Sequence, residues 1–239
     1  MLLFTDLETT GLDPRTEDVL EIAAILTTDD LTEIARFHRI VYSTRSDTVY
    51  RHCAALVERT PPDVLEADDP KVLGNRSLWR VPGIGVSPVV VKMHWDNGLW
   101  AESRRGENIA TVDQDLVDFV RTHSLDGLPV TLGDDAPVPP KFVRPQLAGS
   151  TISFDREFLR AAFPRTTDEE YGVLHYRNLD VSTMNELARR WWPALHEARP
   201  GQGKKSNHRG VGDIENSLAV IKYYLDTLKP VAAVAQEAA

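Results

Sequence analysis

The segment LLFTDLETTGLDP places Asp6 and Glu8 two residues apart at the end of an apolar stretch that reads as a strand. A period of two puts both carboxylates on one face. Carboxylates so placed repel each other unless something positive sits between them. Taken alone, the pair fits a solvated strand edge as well as it fits a metal site. Asp155 follows the small residues AGST and opens a helical segment, where an N-cap role accounts for it. His208 and Asp213 have four residues between them, and Asp213 starts the last long helical pattern, where the helix dipole favours an acid. Each group has an ordinary structural explanation. Together, four carboxylates and a histidine at element ends compose the donor set of a two-metal site.

The surrounding elements must bring these groups to one place. LLFTDLETT reads as a buried strand, with Gly11 and Pro14 marking the turn after it. Further strands are expected at 19–27 (VLEIAAILT) and 35–43 (ARFHRIVYS). Residues 44–90 carry Pro61-Pro62, the acidic run EADD and prolines 82 and 88. They read as an insertion with little regular structure, in which VVVKM at 89–93 has the composition of a strand. Val112, Leu116, Phe119 and Val120 have helical spacing, and 126–145 reads as a second, loop-rich insertion. PQLAGSTI then reads as a central strand, REFLRAAF as a short helix and RNLDVS as another strand. STMNELARRWW is an amphipathic helix ended by Pro193, with one tryptophan expected in the core and the other at the surface or an interface. DIENSLAVIKYYLDTL puts Ile214, Leu218, Ile221, Tyr224 and Leu225 on one face, and the tail 230–239 is expected to fray. Strands first, then strands alternating with helices, point to an α/β sheet domain.

Bulk properties narrow the class. The chain has 239 residues, long enough for one sizeable domain with insertions. A single cysteine, Cys53, excludes an internal disulfide, and His52 beside it lacks the further pair that zinc needs. No apolar run reaches membrane-spanning length. Acids at positions 6 and 8 do not suit a secretory signal, so a cytoplasmic location is expected. The net charge of −9 argues against a tight grip on long duplexes, though not against a short substrate held through metal ions. GQGKKS at 201–206 lacks the spacing of a phosphate loop. Lys204, Lys205 and Arg209 beside His208 read equally as a solvated loop or as cations that draw phosphate in.

Longer segments carry a specific resemblance. DLETTGLDP, AGSTISFDREFL and HRGVGDIENSLAVIKYYL resemble, in order, the three exonuclease motifs of the DEDD superfamily. The H-x-x-x-x-D spacing is that of its histidine-containing branch. HYRNLDVSTMNELARRWWP is similar to a diagnostic segment of oligoribonucleases, and MHWDNGL to their short loop before the first long helix. The similarity covers 1–43, 92–125 and 146–228.

The resemblance implies a ribonuclease H-like fold: an α/β mixed sheet flanked by helices, with two loop-rich insertions, forming one exonuclease domain over 1–229. It implies that Asp6, Glu8, Asp155 and Asp213 hold two Mg²⁺ or Mn²⁺ ions. Hard cations ~3.5–4 Å apart can stabilise both the attacking and the leaving oxygen of a displacement at phosphorus. His208 is implied as the general base, a role that suits an imidazole. Leu12 matches an apolar wedge against a terminal base, and His94 a histidine near the substrate. Thr151, Arg177 and Ser182 match a polar cap over the 5′ phosphate that would limit substrate length. Tyr176 matches an aromatic that reaches across a homodimer interface. The implied activity is 3′→5′ hydrolysis of short single-stranded RNA to nucleoside 5′-monophosphates. Read without the resemblance, Leu12 is turn packing, Arg177 a strand-edge charge and Ser182 a helix cap.

The family pattern is broken at Ser150, Phe154 and Gly212, where Asn, Gln and Asp are usual, and none of these is a metal ligand. Two other readings remain. A proofreading-type DNA exonuclease would share all five catalytic positions. An inactive nucleic-acid-binding domain would be expected to have lost at least one.

Overall fold

Antiparallel pairing joins the first three strands: β1 (Leu2–Thr9), β2 (Val19–Thr27) and β3 (Glu33–Ile40). The expected strand at 19–27 has those bounds, whereas the third begins and ends earlier than 35–43. All nine residues of β2 are buried, as a central strand covered on both faces requires. The computed structural model describes residues 1–65, 78–126, 141–201 and 207–237. Lys204, Lys205, the EADD run and most of the second expected insertion lie outside them.

The described parts of the segment expected to be an irregular insertion are largely helical: α1 (Thr44–Arg59), α2 (Pro62–Leu65) and the start of α3 (Pro88–Asp96). VVVKM is therefore helix, not strand. Ser87 caps α3 by accepting the Val89 N–H, and Pro88 occupies the first turn, where its missing N–H costs nothing. Three valines in a helix cost up to about 0.7 kcal/mol each. Burial outweighs that, at roughly 1.5–3 kcal/mol for each large apolar side chain removed from water. Val91, together with Leu99 and Trp100 of α4 (Leu99–Ser103), joins Leu20, Val49, Cys53 and Trp79 in a core of its own.

The sheet is completed by β6 (Gln146–Gly149) and β7 (His175–Asp180), both added in parallel, giving the order β3-β2-β1-β6-β7. A two-residue ribbon, β4 (Leu125–Asp126) with β5 (Lys141–Phe142), stands apart. One face of the sheet buries Leu3, Leu7, Ile22, Ala24 and Leu26 against α5 (Ile109–His123) and α6 (Ile152–Ala162), which is followed by α7 (Pro164–Thr167). The opposite face packs beneath α8 (Val181–Trp191) and α10 (Gly210–Glu237), with α9 (Pro193–Glu197) between them. This is the mixed, helix-flanked sheet of ribonuclease H-like proteins.

Two expectations need correction. The backbone of α10 stays helical to Glu237, through the point where a frayed tail was expected. Trp191 and Trp192 are both exposed, at 64% and 47%, because the core face of α8 is supplied by Val181 and Ala188 instead. Among the described residues no helix is long and apolar enough to cross a membrane.

Candidate active site

Leu2, Phe4, Asp6 and Glu8 share one face of β1. The first two are buried with Ala23, Ala148, Val181 and Ile214. The last two lie beside the start of α10, whose close approach depends on Gly210. A Cβ there would stand 2.8 Å from Ala23 Cβ and 3.3 Å from the Asp6 carbonyl oxygen. The first turn of α10 therefore carries Asp213 to the acidic end of β1. Donor atoms of Glu8, His208 and Asp213 all lie within 4.8 Å of one another.

Asp155 arrives from the other flank. β6 pairs with β1 only at Leu2, Leu3 and Phe4. Past that point the Leu7 N–H donates to Asp155 Oδ1 at 2.9 Å. Asp155 thus completes the strand edge beside Asp6. It sits inside the first turn of α6, not at the cap, which is Thr151 at a left-handed φ of 54°. Gly149 precedes it because a Cβ would lie 2.8 Å from the Thr5 carbonyl oxygen.

Crowding leaves its mark on the carboxyls. Burial, then the charges of Asp213 and Glu21, push Asp6 up to about 7. Burial and the charges of Asp6, Glu21 and Asp213 push Glu8 up to about 9, against a smaller opposing pull from Arg209. Burial and Asp6 raise Asp155 to about 8 despite the Leu7 hydrogen bond. An all-oxygen donor set that resists ionisation for want of positive charge fits hard divalent cations.

A stability measurement follows from those shifts. Unfolded carboxyls titrate near 4, so the folded state holds these three protons more tightly. Their contribution to stability is complete below about pH 4 and is lost as pH rises through 7 to 9. Chelator-treated protein is expected to melt at progressively lower temperature from pH 5 to pH 9, and added Mn²⁺ to reverse the fall. A melting temperature independent of pH and of Mn²⁺ would contradict this.

The remaining site residues divide. Thr151 and Ser182 meet: the Thr151 N–H donates to Ser182 Oγ at 3.0 Å, and their hydroxyls are 3.2 Å apart. Asp180 caps α8 by accepting the Ser182 and Thr183 N–H groups. Leu12 projects from the turn after β1 with 83% of its surface exposed. Tyr176 is 73% exposed on edge strand β7, stacked on His175 at 4.5 Å, with Arg177 5.4 Å from its ring centre. Buried Arg156 anchors that strand through Asn178 Oδ1 and the His175 carbonyl. His94 is fully buried and does not present itself to a substrate. Its Nε2 donates to the Thr9 carbonyl at 3.1 Å and lies 3.8 Å from Glu8 Oε2, and burial pushes its pKa down to about 4. A neutral imidazole there braces the end of β1.

Two groups, Glu21 and Asn97, have no role in the sequence reading, and a third, Arg209, has a different one. Glu21 is buried directly opposite Glu8 in the β1–β2 register. Its signal was an unexplained acid inside the apolar run VLEIAAILT. Arg209 is engaged by Glu21 and Glu102, so its guanidinium is not a loop cation left to draw in phosphate. Asn97, inside the MHWDNGL segment but given no role there, donates to the His208 carbonyl at 2.7 Å. At the positions that break the family pattern, Ser150 bonds Ser217, Phe154 packs against Phe158 with the rings tilted by 50°, and Gly212 lies against the Asn207 side chain.

Comparison with known proteins accords with this geometry. The RNase_T exonuclease family matches residues 3–78 and 141–221. An oligoribonuclease of Bordetella pertussis is 33% identical over 227 residues, covering 95% of this chain and 94% of that protein. One from Cutibacterium acnes is 29% identical over 228 residues, covering 95% and 86%. Among solved structures, Escherichia coli exonuclease I in complex with a dT13 oligonucleotide aligns with a TM-score of 0.52 at 16% identity, over 98% of this chain and 42% of that one. Its zinc-bound complex with single-stranded DNA aligns with a TM-score of 0.53, again at 16% identity, over 96% and 41%. The chain thus spans less than half the length of exonuclease I, and that likeness speaks to the fold. With the fold, the acidic cluster and these matches in agreement, the chain belongs to the RNase_T exonuclease family of the DEDD superfamily, in the company of the oligoribonucleases.

Proposed function

We propose that the protein is a cytoplasmic, metal-dependent 3′→5′ exonuclease that hydrolyses short single-stranded oligoribonucleotides to nucleoside 5′-monophosphates. The observation that carries the reading is the gathering of Glu8, His208 and Asp213 at the end of β1, with Asp6 close enough to Asp155 to raise its pKa. Asp6, Glu8, Asp155 and Asp213 would hold two Mg²⁺ or Mn²⁺ ions. Such ions supply charge stabilisation to the attacking and leaving oxygens. His208 takes the proton of the attacking water. Leu12 stacks on a terminal base, a contact tolerant of base identity. Thr151 and Ser182, joined by Arg177, receive the 5′ phosphate. Tyr176 completes the site of a second copy in a homodimer. The protein-named relatives that are oligoribonucleases support the substrate class.

A time course on 5′-labelled RNA and DNA of two to about twenty nucleotides tests the reading, since that range brackets single-strand site sizes. RNA is expected to outpace DNA, and two-nucleotide RNA to outpace the longest chains. Arg177→Ala is expected to cost at least about tenfold in kcat/KM on the shortest RNA and little on long chains, because a charge-assisted phosphate contact is lost. Equal rates at every length would remove the cap, and equal rates on DNA would favour a broad single-strand exonuclease.

A further inference from the structure

We propose that Arg209, clamped between Glu21 and Glu102, is a positioning residue that sets the place of the His208 imidazole; this rests on the reading of His208 as general base. His208 lies in the left-handed region at φ 50°, a backbone state that a non-glycine residue keeps only when its surroundings enforce it. Its two neighbours in the chain are both tied down. Asn97 Nδ2 donates to the carbonyls of His208 at 2.7 Å and of Asn207 at 3.3 Å, while Asn97 Oδ1 accepts the Leu99 N–H.

On the other side, Arg209 spreads its guanidinium over three partners. Nε donates to Glu21 Oε2 at 3.0 Å, Nη1 to the Asn97 carbonyl at 3.3 Å and to Glu102 Oε1 at 3.1 Å, and Nη2 to Glu102 Oε2 at 2.7 Å. A planar fork held by a carboxylate pair has little rotational freedom. Asn97 and Arg209 also bind each other, so the loop carrying His208 is fastened to α4 and β2 as one unit.

Glu21 invites a different assignment, as a fifth metal ligand, because it faces Glu8 across the sheet. Both of its oxygens are engaged elsewhere. His38 Nε2 lies 2.6 Å from Oε1, and Arg209 holds Oε2. Glu21 is 1% exposed, and a buried carboxylate with two such partners is committed to them. Arg209 likewise has a partner at each of its three guanidinium nitrogens, so its fork is committed to the carboxylates and the Asn97 carbonyl. The cluster can act on the reaction only through what it holds in place.

The test is a double-mutant cycle on the intact protein with two-nucleotide RNA and Mn²⁺, under single turnover. Arg209→Met is expected to slow the step about 10–100-fold, as a displaced catalytic group does. KM and the Mn²⁺ affinity are expected to hold within about twofold, and Arg209→Lys to recover part of the rate. In a His208→Ala background the same Arg209→Met change is expected to cost less than about twofold, because the group it positions is gone. Equal losses in both backgrounds would overturn the positioning role and leave the base assignment standing. A His208→Ala enzyme with undiminished rate would overturn both. If Arg209→Met does not fold, Glu102→Gln enters the same cycle, since it loosens the fork from its exposed side and leaves the Glu21 pair intact.

Discussion

Replacing Asp6 by Asn is expected to remove turnover while raising the melting temperature of the metal-free protein. The two effects have one cause. Asp6 lies between Glu8, Asp155 and Asp213, and its charge raises the pKa of both Glu8 and Asp155. Burial is the first cost it bears, and an amide of the same shape bears much less of it. Relief of roughly 1–2 kcal/mol corresponds to a rise of several degrees in a domain of this size. The rate, by contrast, would depend on the carboxylate if, as proposed, it is a ligand for the ions that stabilise developing charge. Loss of one preorganised electrostatic contact costs about 10²–10³-fold, and loss of an ion with its chemistry costs at least that. Activity on labelled two-nucleotide RNA and melting in chelator at pH 8 together decide the matter. A variant that is inactive and less stable would indicate damage to the strand. A variant that stays active would end the two-metal assignment.

The opposite signs matter for how legible the site was. A residue kept for stability shows in sequence as periodicity or as a cap, and residues of that kind were found readily. β2 is legible because VLEIAAILT is apolar apart from Glu21 and Thr27 and is flanked by polar turns. The face of α10 could be read from Ile214, Leu218 and Ile221. What could not be read was α1. Its buried positions are Ser46, Val49 and Cys53, too small and too polar for a hydrophobic stripe, and the prolines after it drew the segment toward loop. α3 was misread for the converse reason. Its valines favour a strand, and only the core with Trp79, Leu99 and Trp100 makes burial as a helix worth more. Local propensity and tertiary packing disagreed at α3, and packing decided.

The same division runs through the site. Asp6, Glu8, Asp155, His208 and Asp213 are proposed as site residues from local motifs. Glu21, Asn97 and Arg209 act through contacts across the fold, with Glu21 and Arg209 188 positions apart. Linear spacing carries no trace of such pairs. His94 stands where the motif puts it, and the fold turns it inward to Thr9 and Glu8.

His208→Ala is expected to lower kcat by about 10²–10⁴-fold, the range for loss of a general base, with Mn²⁺ affinity changed by less than about threefold. The structure makes this a choice between two roles, because the imidazole lies with Glu8 and Asp213 in one cluster of donor atoms. It can serve as a ligand or as a base, and the metal decides which. Mg²⁺ and Mn²⁺ favour carboxylate and water oxygens, whereas imidazole suits Zn²⁺. With the hard ions the ring is expected to act as the base. With Zn²⁺ it is expected to close on the ion beside Glu8 and Asp213, and hydrolysis to stop. Zinc inhibition of the Mg²⁺-supported reaction should then be weaker in His208→Ala, by about tenfold or more, as loss of one ligand requires. If Mn²⁺ affinity falls together with kcat, His208 is a ligand of the working metal, and the base must be sought among the waters the carboxylates hold.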